Sequence, residues 1–200
     1  MLEQRIEQHF IDSADLKYQA AQVLSKPIAA AVQAIMVCVT GGAKVLACGN
    51  GGCAAAAAHF AAGFVGGFER ERPELAAVAL ASDGANITAV ANQHAFRDVF
   101  ARQVRALGNP GDVLLALSAN GNCGNVLEAV AAAHEREMVV IGLTGHGGGS
   151  IGHALRDTDV HVCVPHDRAA RVIEVVVLAL HCICDAVDTQ LLGEQEENTP

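Results

Sequence analysis

The chain has 200 residues, of which 52% are hydrophobic and 18% charged, and its formal net charge is −9. This length suits one domain with a full hydrophobic core. The negative net charge and the absence of any basic cluster in the sequence argue against direct binding of nucleic acid. No apolar run approaches the roughly 20 residues of a membrane span, and the first ten residues lack the order of a secretion signal. We therefore expect a cytoplasmic protein without membrane contact. The seven cysteines lie in apolar context, which is typical of buried, reduced thiols.

The first 40 or so residues have a helical pattern, with a predicted break near Ser25-Lys26-Pro27, because Pro27 suits the first turn of a second helix. Short apolar runs then alternate with helical segments. Strands are predicted at 44–48, 76–81, 113–117, 138–143 and 160–164. Helices are predicted near 53–66, 94–106, 122–136, 150–156 and 167–192.

Alternating strands and helices indicate right-handed βαβ crossovers. The predicted fold is α/β, a five-stranded parallel sheet with helices on both faces in a flavodoxin-like three-layer sandwich. We expect one domain over residues 1–192, with residues 1–40 as an oligomerisation segment, and a disordered polar tail over residues 193–200.

Glycine-rich turns follow three of the strands, at Gly49–Gly52, at Ser118–Asn122 and at Thr144–Gly149. In parallel sheets ligands bind beyond the carboxyl ends of the strands, and backbone N–H groups at a helix start favour an anion. These turns predict a phosphate cradle. Its expected residues are Asn50, Gly51, Gly52, Cys53, Ser118, Ala119, Asn120, Asn122 and Cys123.

Several stretches resemble the sugar isomerase (SIS) domain family, among them "VLACGNGG", "RQVRALGNPGDVLLALSANGN" and "AAHEREMVVIGLTG". The resemblance runs from about residue 3 to 192 and is closest to the sedoheptulose 7-phosphate isomerases and to a sister branch, the DnaA initiator-associating protein. It implies a homotetramer with the N-terminal helices in the interface. It also implies a phosphosugar ligand and, in some relatives, zinc.

The residues that the family uses for catalysis are largely replaced in this chain. The resemblance places the catalytic base at Gly63 and the catalytic acid, also a zinc ligand, at Val176. A glutamine position falls on Ile173, and the histidine of the first loop survives as His59. Acid–base catalysis needs positioned proton donors and acceptors, so His59 is the sole catalytic remnant in this alignment, and we expect no bound metal or other cofactor.

These losses lead to the prediction of a non-catalytic tetrameric regulator that resembles the DnaA-associating branch. DnaA is then a possible partner, and Leu191 and Leu192 are the expected contact residues unless they simply pack the end of the last helix. Two alternatives stay open, an active sedoheptulose 7-phosphate isomerase and a phosphosugar sensor. Within the cradle, Cys53 and Cys123 are expected to line one pocket, either as inert buried thiols or as reactive ones.

Overall fold

The computed structural model describes residues 1–194, and its five strands form one parallel sheet in the order β2-β1-β3-β4-β5. The strands are β1 Val45–Cys48, β2 Ala77–Ala79, β3 Val113–Ser118, β4 Val139–Thr144 and β5 Val160–Cys163. The helices are α1 Leu2–Thr40, α2 Gly52–Gly66, α3 Gly84–Gln93, α4 Ala101–Leu107, α5 Gly124–Glu135, α6 Gly149–Ala154 and α7 Ala169–Leu192. The predicted fold class is confirmed, and every predicted strand overlaps an observed one.

Successive side chains of each strand point to opposite faces of the sheet, and this alternation divides the core in two. On β3, Leu115 and Leu117 pack with α1, α2 and α7, whereas Leu114 and Ala116 pack with α4, α5 and α6. All four side chains are fully buried. The strands are apolar throughout because both of their faces are covered.

The N-terminal segment is a single helix of 39 residues, and the predicted break at Pro27 is wrong. A proline inside a helix removes one backbone hydrogen bond, to the carbonyl four residues earlier. That carbonyl belongs to Val23, whose side chain is exposed, so solvent can satisfy it. Leu24 and Ala31, on either side of Pro27, are buried on the same face, and the helix continues across the proline.

Helix α1 is also long and apolar enough to cross a membrane by length and composition alone. Its buried residues, which include Leu24, Val32 and Ile35, join the core that α1 shares with α7 and the sheet. A core helix of a folded domain passes the same length test. The cytoplasmic location stays a prediction.

The segment between β2 and β3 differs from the sequence prediction. A helix was predicted near 94–106, but the structure has α3 at Gly84–Gln93, a short turn at Phe96–Asp98 and α4 at Ala101–Leu107. The Asp83 side chain caps α3 by accepting a hydrogen bond from the Asn86 backbone N–H at 3.0 Å. Because the sequence of α3 contains weak helix formers, propensity gave little sign of it. Of the predicted tail 193–200, residues 195–200 lie outside the described part of the chain.

Candidate functional site

A cavity of about 220 Å³ opens at the carboxyl ends of β1 and β3, where the sequence predicts the phosphate cradle. Six of the nine predicted cradle residues line it. They are Asn50, Cys53, Ser118, Ala119, Asn120 and Cys123. Gly51 and Gly52 form the turn into α2 beside them, and Gly51 has a positive φ of 54°, which favours glycine.

Side-chain hydrogen bonds fix the two cradle loops relative to each other and to the helices behind them. The amides of Asn50 and Asn125 donate to each other's oxygens at 2.8 and 2.9 Å, which ties the first loop to α5. Asn120 Oδ1 accepts from Ser118 Oγ and from the Asn122 backbone N–H. A cradle held in this way needs little rearrangement to receive an anion.

The third glycine-rich loop packs against the cradle and does not line it. Ile151 N donates to the Gly121 carbonyl, and Asn122 Oδ1 accepts from Ser150. A Cβ atom at Gly121 would lie 2.0 Å from the Gly148 carbonyl oxygen. The glycines of this region therefore permit close backbone packing, and Asn122 is a structural bridge to Ser150 in this arrangement.

Two imidazoles meet between α2 and α7. His59 Nε2 lies 2.8 Å from His181 Nε2, and the ring of Phe68 lies 5.3 Å from that of His181. His59 is exposed and His181 is half-buried. A hydrogen bond between two ring nitrogens requires one to carry a hydrogen and the other a lone pair, so this pair presents a proton donor beside a proton acceptor.

The structure places a second histidine beside His59, which the sequence predicts as the sole catalytic remnant, and the catalytic role of His59 stays a prediction. Val176, the predicted acid position, is 1% exposed and belongs to the hydrophobic core. The residue that α7 brings to His59 is His181. A Cβ atom at Gly63, the predicted base position, would lie 3.8 Å from Cys184 Sγ and 3.9 Å from Phe68, so Gly63 borders the cluster without contributing a side chain.

The spacing along the two helices could have revealed His181. Gly52 lies against Ile173, His59 against His181, and Gly63 against Cys184, so α2 and α7 run in the same direction. Eight residues from Ile173 to His181 are two helical turns and about 80°, so His181 lies to one side of Ile173 on the surface of α7. Val176, the predicted acid position three residues after Ile173, lies to the other side of Ile173 and is buried in the core.

Zinc, which the resemblance implies for some relatives, does not fit the donor set that one chain provides. A zinc site normally takes three or four protein ligands. Within residues 1–194 there is no group of three or more histidine, cysteine, aspartate or glutamate side chains placed to hold a metal. Gly63 and Ile173 contribute no donor beside the two histidines. The expectation that the protein needs no cofactor stays a prediction.

A buried arginine fastens the end of α2 to α7. Arg72 donates to the carbonyls of Gly63 and Phe64 and forms an ion pair with Asp188, and both side chains of the pair are nearly fully buried. The carbonyls at a helix end lack partners within the helix. Arg72 satisfies two of them and holds the helix that carries His59 against the helix that carries His181.

Fold and cavity together define an α/β protein with a cavity at the carboxyl edge of a parallel sheet, lined by most of the predicted cradle residues. The SIS domain family model matches residues 9–145, and the chain belongs to the SIS domain family. The phosphoheptose isomerase of Methylibium petroleiphilum is 65% identical over 196 residues, 98% of each chain. That of Dechloromonas aromatica is 52% identical over 94% of this chain and 96% of its own.

Solved structures agree with these relatives. The phosphoheptose isomerase of Neisseria gonorrhoeae superposes with a TM-score of 0.91 at 48% identity, over 94% of this chain and 100% of its own. That of Francisella tularensis has a TM-score of 0.92 at 41% identity, over 94% of this chain and 99% of its own.

The prediction of a non-enzymatic regulator is wrong, because these near-full-length relatives are all phosphoheptose isomerases. The replaced residues do not remove every proton-transfer group, because His181 lies beside His59. No finding supports DnaA as a partner. Leu191 and Leu192 are 38% and 39% exposed at the end of α7, so they do not fully pack the helix end, and what contacts them stays a prediction.

Proposed function

We propose that the protein is a phosphoheptose isomerase, which interconverts the ketose sedoheptulose 7-phosphate and the corresponding aldose phosphate. The observation that carries the proposal is the 2.8 Å contact between His59 and His181. His59 lies on α2, the helix that begins at the phosphate cradle. The high identity to phosphoheptose isomerases over nearly the whole chain supports the choice of substrate.

The distance from the cradle to the histidines suits a seven-carbon phosphate. Six residues separate Cys53, at the cradle, from His59, and at 1.5 Å per residue this is a rise of about 9 Å along α2. Seven bonds join C2 of a heptose 7-phosphate to its phosphorus. An extended chain spans roughly 1.2 Å per bond, as a polypeptide backbone does, so the substrate reaches about 8 Å. The rise along α2 and the length of the substrate are therefore comparable. In the proposed complex the phosphate binds at the cradle and C1 and C2 lie toward the histidine pair.

Isomerisation needs one group that removes a proton from carbon and another that protonates the carbonyl oxygen. In the proposed reaction the unprotonated Nε2 of the pair takes a proton from C1 of the ketose, while the N–H of the other ring donates to O2. The resulting enediol is then protonated at C2, and its O1 proton returns to the pair. Histidine suits both roles because its unperturbed pKa lies near neutrality.

Binding of the phosphate depends mainly on the backbone. Of the cradle side chains, Ser118 retains a hydroxyl, while Ala119 and Cys123 offer no strong donor. The resemblance places further hydroxyls at these positions, and each hydrogen bond to a charged group contributes about 1.5–3 kcal/mol. We therefore expect a high KM for this enzyme relative to isomerases with a complete set of hydroxyls.

We also propose that copies of the chain associate through α1, as the homotetramer implied by the resemblance requires. Large apolar side chains are exposed along this helix, and contiguous exposed apolar surface marks interaction sites. The exposed large apolar side chains of α1 are Leu2, Ile6, Phe10, Ile11, Tyr18, Val23 and Val37. Light scattering of the protein should give a mass above that of one chain, and Phe10→Glu should reduce it.

The proposed activity is tested by incubating the protein with sedoheptulose 7-phosphate in D2O and following aldose formation and deuterium incorporation at C1 and C2 by NMR. His59→Gln and His181→Gln should each lower kcat by about 10²–10⁴-fold, the usual contribution of a general acid or base. His153→Gln is the matched control, because His153 is exposed on α6, across the sheet from the histidine pair.

The proposal fails if the wild-type protein shows no turnover above a buffer blank. It fails in its mechanistic part if turnover is present but the two glutamine variants match His153→Gln. Circular dichroism of each variant would confirm that the fold is retained before rates are compared.

A further inference from the structure

The cradle contains a group of thiols that the proposed reaction does not use. Cys53 and Cys123 both line the cavity, one from the first turn of α2 and the other from the residue that precedes α5. Cys48, the last residue of β1, lies behind them and is fully buried.

The sulfur atoms of this group are close enough to influence one another. Cys53 and Ala119, which is in the loop that leads to Cys123, line the same cavity. Burial raises the pKa of the Cys53 thiol, and the nearby Cys123 raises it further. Burial also raises the pKa of the Cys48 thiol, and the neighbouring Cys123 and Cys53 raise it further. Cys53 and Cys123 line one cavity, and Cys48 lies at the end of the strand that leads into it.

We propose that Cys53 and Cys123 are a dithiol modification site, which a peroxide converts to an intramolecular disulfide across the cradle. Cys123 is the partly exposed member of the pair and is the first to meet the oxidant. Cys53 is 4% exposed, and it borders the cavity that Cys123 also lines. Cys48 is excluded as first reactant because it is enclosed by the sheet.

The chemistry requires hydrogen peroxide as the oxidant. The Cys123 thiolate attacks one peroxide oxygen, the O–O bond breaks, and hydroxide leaves, which gives a sulfenic acid. The Cys53 thiolate then attacks the Cys123 sulfur, an S–S bond forms, and the S–O bond breaks with loss of a second hydroxide. The two thiol protons neutralise the two hydroxides, so two thiols and one peroxide give one disulfide and two waters.

The disulfide would change the surface on which an anion rests. Both sulfurs line the cavity, so joining them draws the two walls of the cradle together and removes space beside Ser118. This consequence rests on the proposed function, since it assumes that the cradle holds the substrate phosphate. Formation of the disulfide itself does not depend on that assumption.

The site is tested by treating the purified protein with hydrogen peroxide and mapping disulfide-linked peptides by mass spectrometry under denaturing, alkylating conditions. We expect a linked pair of peptides that contain Cys53 and Cys123, with loss of the mass of two hydrogen atoms. Cys53→Ser and Cys123→Ser should each abolish it. Cys182→Ser, which changes an exposed cysteine on α7, is the matched control and should leave it unchanged.

A second arm adds inorganic phosphate before the peroxide. At ten times its dissociation constant phosphate leaves about one site in eleven free, so oxidation should slow by about tenfold. If the disulfide forms at the same rate with and without phosphate, the dithiol site stands and the phosphate cradle fails. If peroxide links Cys48 to either cysteine, or leaves Cys53 and Cys123 unlinked, the dithiol inference is overturned whatever the isomerase activity.

Discussion

The side chain of Ile173 covers Gly52 at the mouth of the cradle, where a Cβ atom added to Gly52 would lie 2.8 Å from Ile173 Cδ1. The next nearest Ile173 atom would be 3.6 Å away, an ordinary contact. The start of α2 can therefore approach α7 because residue 52 is glycine. This contact sets the register in which His59 meets His181.

Gly52→Ala should destabilise the protein by about 1–3 kcal/mol through overpacking. Ile173→Val removes the clashing Cδ1 atom and should by itself cost about 0.5–1.5 kcal/mol. In the double variant the two losses should not add, because the added methyl group occupies space that Cδ1 leaves. Urea unfolding of the four proteins measures the coupling, and strict additivity would show that the two residues do not touch.

Gly63→Glu should be accommodated and should raise kcat. An added Cβ atom meets nothing closer than 3.8 Å, and a carboxylate there would lie near the His59–His181 pair as a further proton acceptor. Gly63→Ala is the control, since it adds helix propensity of about 1 kcal/mol without a carboxylate. Thermal unfolding and NMR turnover assays separate the two effects. Equal kcat in both variants would contradict a role for a carboxylate at this position.

Arg72→Met should lower the free energy of unfolding by about 3–5 kcal/mol, because it leaves Asp188 as an uncompensated buried charge. It also removes the donors to the Gly63 and Phe64 carbonyls. Arg70→Met, which removes a single exposed hydrogen bond to Gly193, should cost less than about 1 kcal/mol. Urea unfolding distinguishes the variants, and equal losses would mean that the Arg72–Asp188 pair is not buried in solution.

His161 should make stability depend on pH. Burial lowers the pKa of its imidazole below the ordinary value, and its Nε2 lies 2.8 Å from Thr144 Oγ1. Below a pH of about 6.5 the unfolded chain binds a proton that the folded chain does not. Acidification from neutral pH therefore favours unfolding, and the stability that His161 contributes is present above that pH and lost below it.

The free energy of unfolding should accordingly fall more steeply with decreasing pH in the wild type than in His161→Gln. Urea titrations at a series of pH values from about 7.5 to about 5.5, either side of the ordinary histidine pKa, measure this difference. A parallel decline in the two proteins would show that the folded-state pKa of His161 is not lowered.

The sequence by itself determined the sheet and the place of the cradle. Each strand is an apolar run between turn residues, and both faces of a parallel sheet must be buried, so local composition is enough to find them. The turn at Gly49–Gly52 also has a local cause, since a positive φ at Gly51 favours glycine.

Tertiary packing decided the rest. Helix α1 continues through Pro27 because buried residues on both sides hold it, which outweighs a local preference for a break. His59 and His181 are 122 positions apart, and their contact depends on how α2 and α7 approach at Gly52 and Ile173. The sequence of one helix shows which residues share a face, but long-range contacts decide which other helix packs against that face. For this reason the sequence located the cradle and missed the second histidine.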